Sequence, residues 1–515
     1  MDTVKKQVFL STVFSYAGVV VGAISQWFIV PNVLTKAENG LLAVLLSYMY
    51  ILIQLSNLGF NSAGGRFFPS FYNPKKGHNG YLFTGIFIST IGFLICLIGL
   101  YFYKNNVLLG NSFLKQIEIL KPLFKTENSE KSALFIKYFY LLIPITLGQL
   151  LFNIFDNYAK NLYDTATGTF LSQFFQRFWL LISFIVLALD WVDFEGFIWI
   201  WSLAFIIPTV LMIIRSIRLG GFSFKPDFSI FTTEFRKPFV NYSALTVLTG
   251  FSTMIIMYID KIMLGLISGL EDAGVYNTAS FFGSVMGMSL MATSKATAPL
   301  IATSMQNNDF DKIDILYKKS CLTQLIVGCW ILAGILINID NLFAFLPPDY
   351  EAGKWVIIIL GFAKLYDLAT GLNGLILVYS KYYRYDTYSM LSLIVFTIIA
   401  NFYFIPRFGL TGAAIAAGLA TIYFNTVRYF IVWIKLGLQP FDFQNIKVLL
   451  IATLITYISY ILPPLGESKL MVVLDIAYRS ILLTVGFGYA IFVSKVSPEL
   501  NQIGLNLIGR FFKKL

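Results

Sequence analysis

Apolar runs of 18 or more residues recur along this chain from one end to the other. Each has the length of an α-helix that crosses the hydrocarbon core of a bilayer, about 20 residues, and each reads as a membrane span. Composition agrees: 57% of the 515 residues are hydrophobic and 13% are charged, against about 45–50% apolar and about 25% charged in a soluble domain. Such a surface would not stay dissolved, which excludes a soluble enzyme, a disordered regulator and a nucleic-acid-binding domain. The net charge of +11 is therefore read first as a topology signal.

Cys96, Cys321 and Cys329 all lie inside apolar runs, and His78, in a loop, is the one histidine. This leaves no disulfide framework or Cys-type zinc site, and no His-based zinc, haem or Ser-His-Asp chemistry. There is no Walker A loop, and no Gly-x-Gly-x-x-Gly follows a strand, so neither ATP nor a dinucleotide is indicated. No cofactor or metal is expected, and nothing points to an enzyme. The run Val8–Val30 is too long for a signal peptide and reads as a retained first helix.

Hydropathy gives about fourteen spans, among them 8–30, 41–63, 133–156, 167–189, 274–298, 355–379, 388–405, 411–434, 448–463 and 474–494. The expected fold is an all-α polytopic membrane protein. Its parts would be a six-helix bundle over 1–214, a cytoplasmic linker at 215–238, a second six-helix bundle over 239–434, and two additional helices with a basic tail over 435–515. With Lys5 and Lys6 inside, the inner loops collect Arg66, Lys75, Lys76, Arg215, Arg218, Lys318, Lys319 and Lys435. Roughly 24 basic residues then lie inside and roughly 12 outside, a bias that sets orientation with both termini cytoplasmic. The lysine- and glutamate-bearing segment 104–132 resists this rule, and the amphipathic, basic ending Leu505–Leu515 suits a membrane surface.

Two stretches match one another. The second span follows Glu38-Asn-Gly40 and ends at Arg66-Phe-Phe-Pro69; the eighth follows Glu271-Asp-Ala-Gly274 and ends at Lys295-Ala-Thr-Ala-Pro299. Six spans separate the copies, and an even number preserves orientation, so the halves are expected to be parallel repeats. The other informative residues are charges within spans, since one at the bilayer centre costs roughly 2.5–3.5 kcal/mol and normally faces a cavity or a partner. Arg177 is midway along the fifth span, and Lys364 and Asp367 share one face of the tenth. Arg428 and Arg479 are read as snorkelling to the interface, and Asp260-Lys261 marks an outer end. Gly18-x-x-x-Gly22 and Gly409-Leu-Thr-Gly412-Ala-Ala permit close helix approach.

Several segments resemble bacterial polysaccharide flippases of the Wzx type, of the multidrug/oligosaccharidyl-lipid/polysaccharide exporter superfamily. They are Pro31-Asn-Val-Leu34-Thr-Lys-Ala-Glu38-Asn-Gly40, Leu58-Gly59-Phe60, Arg66-Phe-Phe-Pro69, Tyr258-Ile-Asp260-Lys-Ile-Met-Leu-Gly265 and Ile405-Pro-Arg-Phe-Gly409-Leu-Thr-Gly412. The resemblance implies two six-helix bundles around a central cavity in a bacterial inner membrane. It also implies an undecaprenyl-diphosphate-linked oligosaccharide as cargo, moved from the cytoplasmic to the periplasmic leaflet. Partners would be membrane lipids and the polymerase and glycosyltransferases of the same pathway, with no nucleic acid. On the repeat and on helix depth, Arg66, Lys295, Arg177 and Lys364 are the expected diphosphate-binding residues, and Asp367 or Asp260 would couple H+ or Na+. The rival readings are a multidrug/cation antiporter of the same superfamily and a membrane-embedded polysaccharide polymerase or ligase.

Overall fold

In the computed structural model of the chain, residues 2–105, 129–227, 229–466, 468–498 and 501–502 are described. Most of the segment 104–132 and the ending Leu505–Leu515 lie outside them. The described elements are helical throughout, and two compact units divide the chain, Met1–Thr278 and Ala279–Leu515.

The first unit contains α1 (Asp2–Ile24), α2 (Lys36–Ser56), α3 (Phe60–Phe71), α4 (Tyr81–Tyr103), α5 (Leu142–Asn161), α6 (Gln176–Ala188), α7 (Phe194–Arg218) and α8 (Thr233–Ile267). A capping box starts α2: the Thr35 hydroxyl accepts the Glu38 N–H, and Glu38 Oε2 accepts the Thr35 N–H at 2.9 Å. The helix stops at Asn57-Leu58-Gly59, where Gly59 has φ 78 and a Cβ would strike the Ser243 carbonyl of α8. Only glycine takes that backbone at that distance, and the chain restarts as α3, which carries Arg66 to the end of the span. Asn57 Oδ1 accepts the Asn61 N–H at 2.7 Å and so satisfies a donor freed by the break.

Two π-helical turns occur in this unit. Ser25–Ile29 extends α1, and Phe170–Phe175 leads into α6. Inserting one residue per turn re-aims the side chains that follow, and such turns concentrate at functional positions. Among this unit's described residues, one buried cluster is built on Leu41, Leu45, Ile145, Trp201 and Phe205, and another on Phe60, Phe71, Tyr81, Phe155 and Tyr158.

α9 (Leu270–Gln306) starts in the first unit and continues into the second, which adds α10 (Phe310–Ile337), α11 (Gly353–Thr370), α12 (Asn373–Tyr379), α13 (Tyr383–Leu436), α14 (Phe443–Ile461) and α15 (Lys469–Val493). The span Pro348–Thr370 is bent by 44° against Asn373–Tyr379. At membrane depth such a break needs protein or a polar cavity around it, because its freed backbone groups find no water in lipid. The 54-residue α13 would measure about 81 Å if straight, and it is kinked at Gly409, whose φ 51 and ψ −126 only glycine tolerates. The Gly409-Leu-Thr-Gly412 string is thus a joint between the two spans expected at 388–405 and 411–434, and Gly412 packs its Cα onto the Phe404 carbonyl.

The all-α membrane fold therefore stands, with a different tally of spans. Among the described residues, eleven helices are long and apolar enough to cross a membrane, twelve if the bent pair counts as one span. The fourteen expected from hydropathy are not reproduced one for one. Two of them, on either side of the Gly409 kink, count once as α13, and α9, which is rich in Ser, Thr and Gly, is not among the eleven.

Candidate functional site

Among the charged and polar side chains within the spans, one set in each unit stands out. In the first unit, Arg66 is exposed midway along α3, and its guanidinium carbon lies 4.5 Å from the centroid of Tyr242 on α8. Arg177, half-buried on α6 directly after the π turn, is bordered by α1 through Gly22, where a Cβ would sit 3.3 Å from its Nη1. Gly18, one turn earlier, approaches the Gln173 carbonyl of that π turn. The Gly18-x-x-x-Gly22 spacing therefore makes room for the residue pair Gln173 and Arg177. Arg177 Nη2 donates to Gln173 Oε1 at 3.4 Å, and its charge acts on the Tyr50 phenol, which stacks on Tyr258 with ring centroids 5.0 Å apart. Neither Arg66 nor Arg177 has a carboxylate within ion-pair distance among the described residues.

Between these two arginines runs a row that hydropathy does not reveal. Gln149, Asn153, Asn157 and Asn161 recur every fourth residue along α5 and so share one face of it. Gln176 Nε2 donates to Gln149 Oε1 at 3.3 Å, so the row ends one residue before Arg177. At its other end, a Cβ on Gly65 would lie 3.5 Å from Asn157 Oδ1 and 4.0 Å from Asn161 Oδ1, so the row begins beside the residue preceding Arg66. The signal was present in sequence as an i, i+4 amide spacing within an apolar run.

Asp260 sits in a different setting. It is bonded by the Tyr276 hydroxyl and flanked by Lys261, whose Nζ donates to Asn277 Oδ1 at 2.7 Å. Asn277 donates to Asn39 Oδ1 at 3.2 Å, and Asn39 Nδ2 donates to both the Gly274 carbonyl and Thr278 Oγ1 at 3.0 Å. This network knits the start of α2 to the start of α9. Gly40 and Gly274, from the two matched sequence stretches, meet there back to back: a Cβ on Gly40 would strike the Leu270 carbonyl, and one on Gly274 the Lys36 carbonyl.

In the second unit Lys364 and Asp367 form an ion pair at 3.0 Å. Asp367 Oδ1 also accepts from Asn425 Nδ2 at 2.9 Å, and Asn425 Oδ1 accepts from Asn373 Nδ2 at 3.3 Å. Arg428 pairs with Asp386 at 2.6 Å, lies 3.8 Å over the Phe424 ring, and would be 2.7 Å from a Cβ on Gly374. These residues surround a cavity of about 240 Å³ lined by Ser294, Asp367, Asn373, Gly374, Asn425 and Arg428, at the break between α11 and α12. Two cations and two carboxylates balance there, and sequence reasoning missed Asp386, Asn373 and Asn425. Two larger cavities, about 460 and 330 Å³, lie between α10, α11 and α14 and share Phe362, Leu365 and Leu449. Their walls are mostly apolar, with Asp442 and Asn445 in one and Thr453 and Thr456 in the other.

Of the remaining sequence-selected charges, Lys295 is exposed on the second-unit part of α9 with no ion pair among the described residues. Arg479 does not snorkel. It is 7% exposed, its Nε bonds Asp475 at 2.7 Å, and its Nη2 donates to the Leu462 carbonyl at 2.7 Å, which holds the end of α14 to α15. Arg428, paired as described, does not snorkel either.

Residues 4–305 match the family described as polysaccharide biosynthesis protein. Among solved structures, the chain is similar to the lipid II flippase MurJ in an inward closed conformation, with a TM-score of 0.70 and 13% identity over 95% of this chain and 100% of that one. It is also similar to a multidrug resistance MATE family transporter of the MOP superfamily in its inward-facing conformation, with a TM-score of 0.61 and 13% identity over 84% of this chain and 98% of that one. At such identities the likeness is one of fold. No curated protein sequence matches the chain.

Proposed function

The chain belongs to the polysaccharide biosynthesis protein family, and on that premise we propose that it is a flippase for undecaprenyl-diphosphate-linked oligosaccharide units. It carries them from the cytoplasmic to the periplasmic leaflet of a bacterial inner membrane by alternating access, with both termini cytoplasmic. The observation that carries this reading is the contrast between the two polar groups. Arg66 and Arg177 have no carboxylate partner among the described residues, whereas the cations around the second-unit cavity are each paired. A cation within a span that lacks a counter-charge calls for an anionic ligand. A transporter of cations would instead present carboxylates free of partners.

In this mechanism Arg66, with Lys295, takes the diphosphate at the cytoplasmic mouth, and the planar guanidinium, stacked on Tyr242, offers its N–H edge to phosphate oxygens. The two units then rock to expose the head group outward while the polyprenyl chain stays in lipid. Arg177 receives the anion deeper in the first unit. Moving a doubly negative group out of a negative interior gains on the order of 4–5 kcal/mol per 100 mV, less whatever the cavity cations neutralise. Lys364 acts through Asp367, and that pair, or Asp260, couples H+ or Na+ to the return step.

Depletion in the host cell tests the reading. Lipid-linked repeat units are expected to accumulate where a lectin added to intact spheroplasts cannot reach them, and re-expression restores labelling. Equal labelling with and without the protein, together with loss of resistance to cationic dyes, would favour the multidrug antiporter instead.

A further inference from the structure

The amide row on α5 has more hydrogen-bonding capacity than the protein uses. Each amide carries two N–H donors and an acceptor oxygen, and an amide left unmet inside a membrane is unfavourable, as a bare peptide group is. Yet Asn153 Nδ2 donates to nothing among the described residues, and Asn153 Oδ1 has one long contact, 3.5 Å from Gln149. Asn157 donates to the Asn61 carbonyl and Asn161 donates to the Tyr81 hydroxyl at 3.3 Å, while the Oδ1 atoms of both accept nothing. Those two oxygens converge on Gly65, the side-chain-free position on α3. All three asparagines are half-buried, so they border open space and are not sealed into a helix seam. A row that served only to fasten helices would have its groups mutually bonded.

We infer that this row is the surface that binds the hydroxyl groups of the sugar, an inference that rests on the flippase reading above. A hydroxyl both donates and accepts, as an amide does, and an uncharged amide binds it without competing for the diphosphate. The row spans about 18 Å of helix and has an arginine at each end, Arg66 beyond Gly65 and Arg177 beyond Gln176. A ligand with one anionic group and a neutral, hydroxyl-rich body fits that order: phosphate on an arginine, hydroxyls on the amides. Gly65 keeps the space between α3 and α5 open for it.

The test uses two probes. One is the free repeat-unit oligosaccharide released from the cell's own lipid-linked pool by mild acid, titrated into the purified full chain by calorimetry. The other is inorganic diphosphate. Asn153→Leu/Asn157→Leu is expected to weaken oligosaccharide binding about tenfold and to leave diphosphate binding unchanged. Gly65→Leu, which fills the opening from another helix, acts the same way, and Gly65→Ala, whose Cβ fits, does not. Melting temperatures of the variants control for folding. Oligosaccharide binding that is unaltered in both the α5 and the Gly65→Leu proteins overturns the inference, as does equal weakening of both probes. Row-dependent oligosaccharide binding in a protein that moves no lipid-linked sugar would overturn the flippase reading and leave the row standing.

Discussion

The Arg66 guanidinium lies over the Tyr242 ring, 4.5 Å from its centroid, so α3 and α8 hold a cation that has no carboxylate partner among the described residues. Stacking fixes the plane of the guanidinium and leaves its N–H edge for a phosphate. Arg66→Ala is therefore expected to raise the half-saturating concentration of a diphosphate-linked substrate about tenfold or more, the value of a charge-assisted hydrogen bond. Arg66→Lys falls between, and Tyr242→Leu moves it by a smaller factor in the same direction. Titration of transport rate against substrate measures this; an unchanged value in Arg66→Ala contradicts the assignment.

Gly40 and Gly274 bring the starts of α2 and α9 into backbone contact. Neither the Leu270 nor the Lys36 carbonyl can yield as a flexible side chain would, so Gly40→Ala is expected to cost about 1–3 kcal/mol through overpacking. Gly99 on α4 meets nothing within 4 Å, and Gly99→Ala should be neutral or stabilising by about 0.5–1 kcal/mol. Thermal melts of the two variants in detergent check the contrast. Equal melting temperatures would show that the contact carries no constraint.

The Arg479–Asp475 pair is buried, with exposures of 7% and 1%. Asn341 Nδ2 also bonds Asp475 at 2.6 Å. Removing one charge strands the other, so Arg479→Ala should destabilise the second unit by about 3–5 kcal/mol. Asp475→Asn/Arg479→Gln, which leaves no lone charge, should lose less. Limited proteolysis near Leu462–Pro464 and thermal melts read both effects; a double variant weaker than the single one would refute the ion-pair account.

Asp367 bridges Lys364 and Asn425 beside the cavity at the α11–α12 break. If that carboxylate couples an ion to the return step, Asp367→Asn abolishes the dependence of transport on a pH or sodium gradient while gradient-free exchange persists. Transport in proteoliposomes with and without each gradient measures it, and an undiminished gradient response in Asp367→Asn assigns coupling elsewhere.

Hydropathy located the spans because about 20 apolar residues are hard to read any other way. The matched turns at Gly40 and Gly274 were legible because each starts a helix with acidic and glycine residues. Lys364–Asp367 was legible because both ends lie three apart on one helix. Asp475–Arg479 has the same kind of spacing and was overlooked: a basic residue near a span end invites the snorkelling reading. Asp386 and Arg428 come together only through the fold, and the π turns around Gln173 are a property of the backbone that side-chain periodicity does not encode. The amides of α5 disappear into an apolar average, since four polar residues at helical spacing barely lower the hydropathy of a span.

The central claim is that this protein moves lipid-linked oligosaccharide across a bilayer. Its most direct test is reconstitution of the purified chain into liposomes carrying fluorescent undecaprenyl-diphosphate oligosaccharide in both leaflets, followed by an impermeant quencher. The account predicts that quenching proceeds from the outer-leaflet fraction to near completion with wild-type protein and slows strongly with Arg66→Ala/Lys295→Ala. Quenching that stops at the outer-leaflet fraction with wild-type protein, or proceeds at the same rate in the double variant, would contradict it.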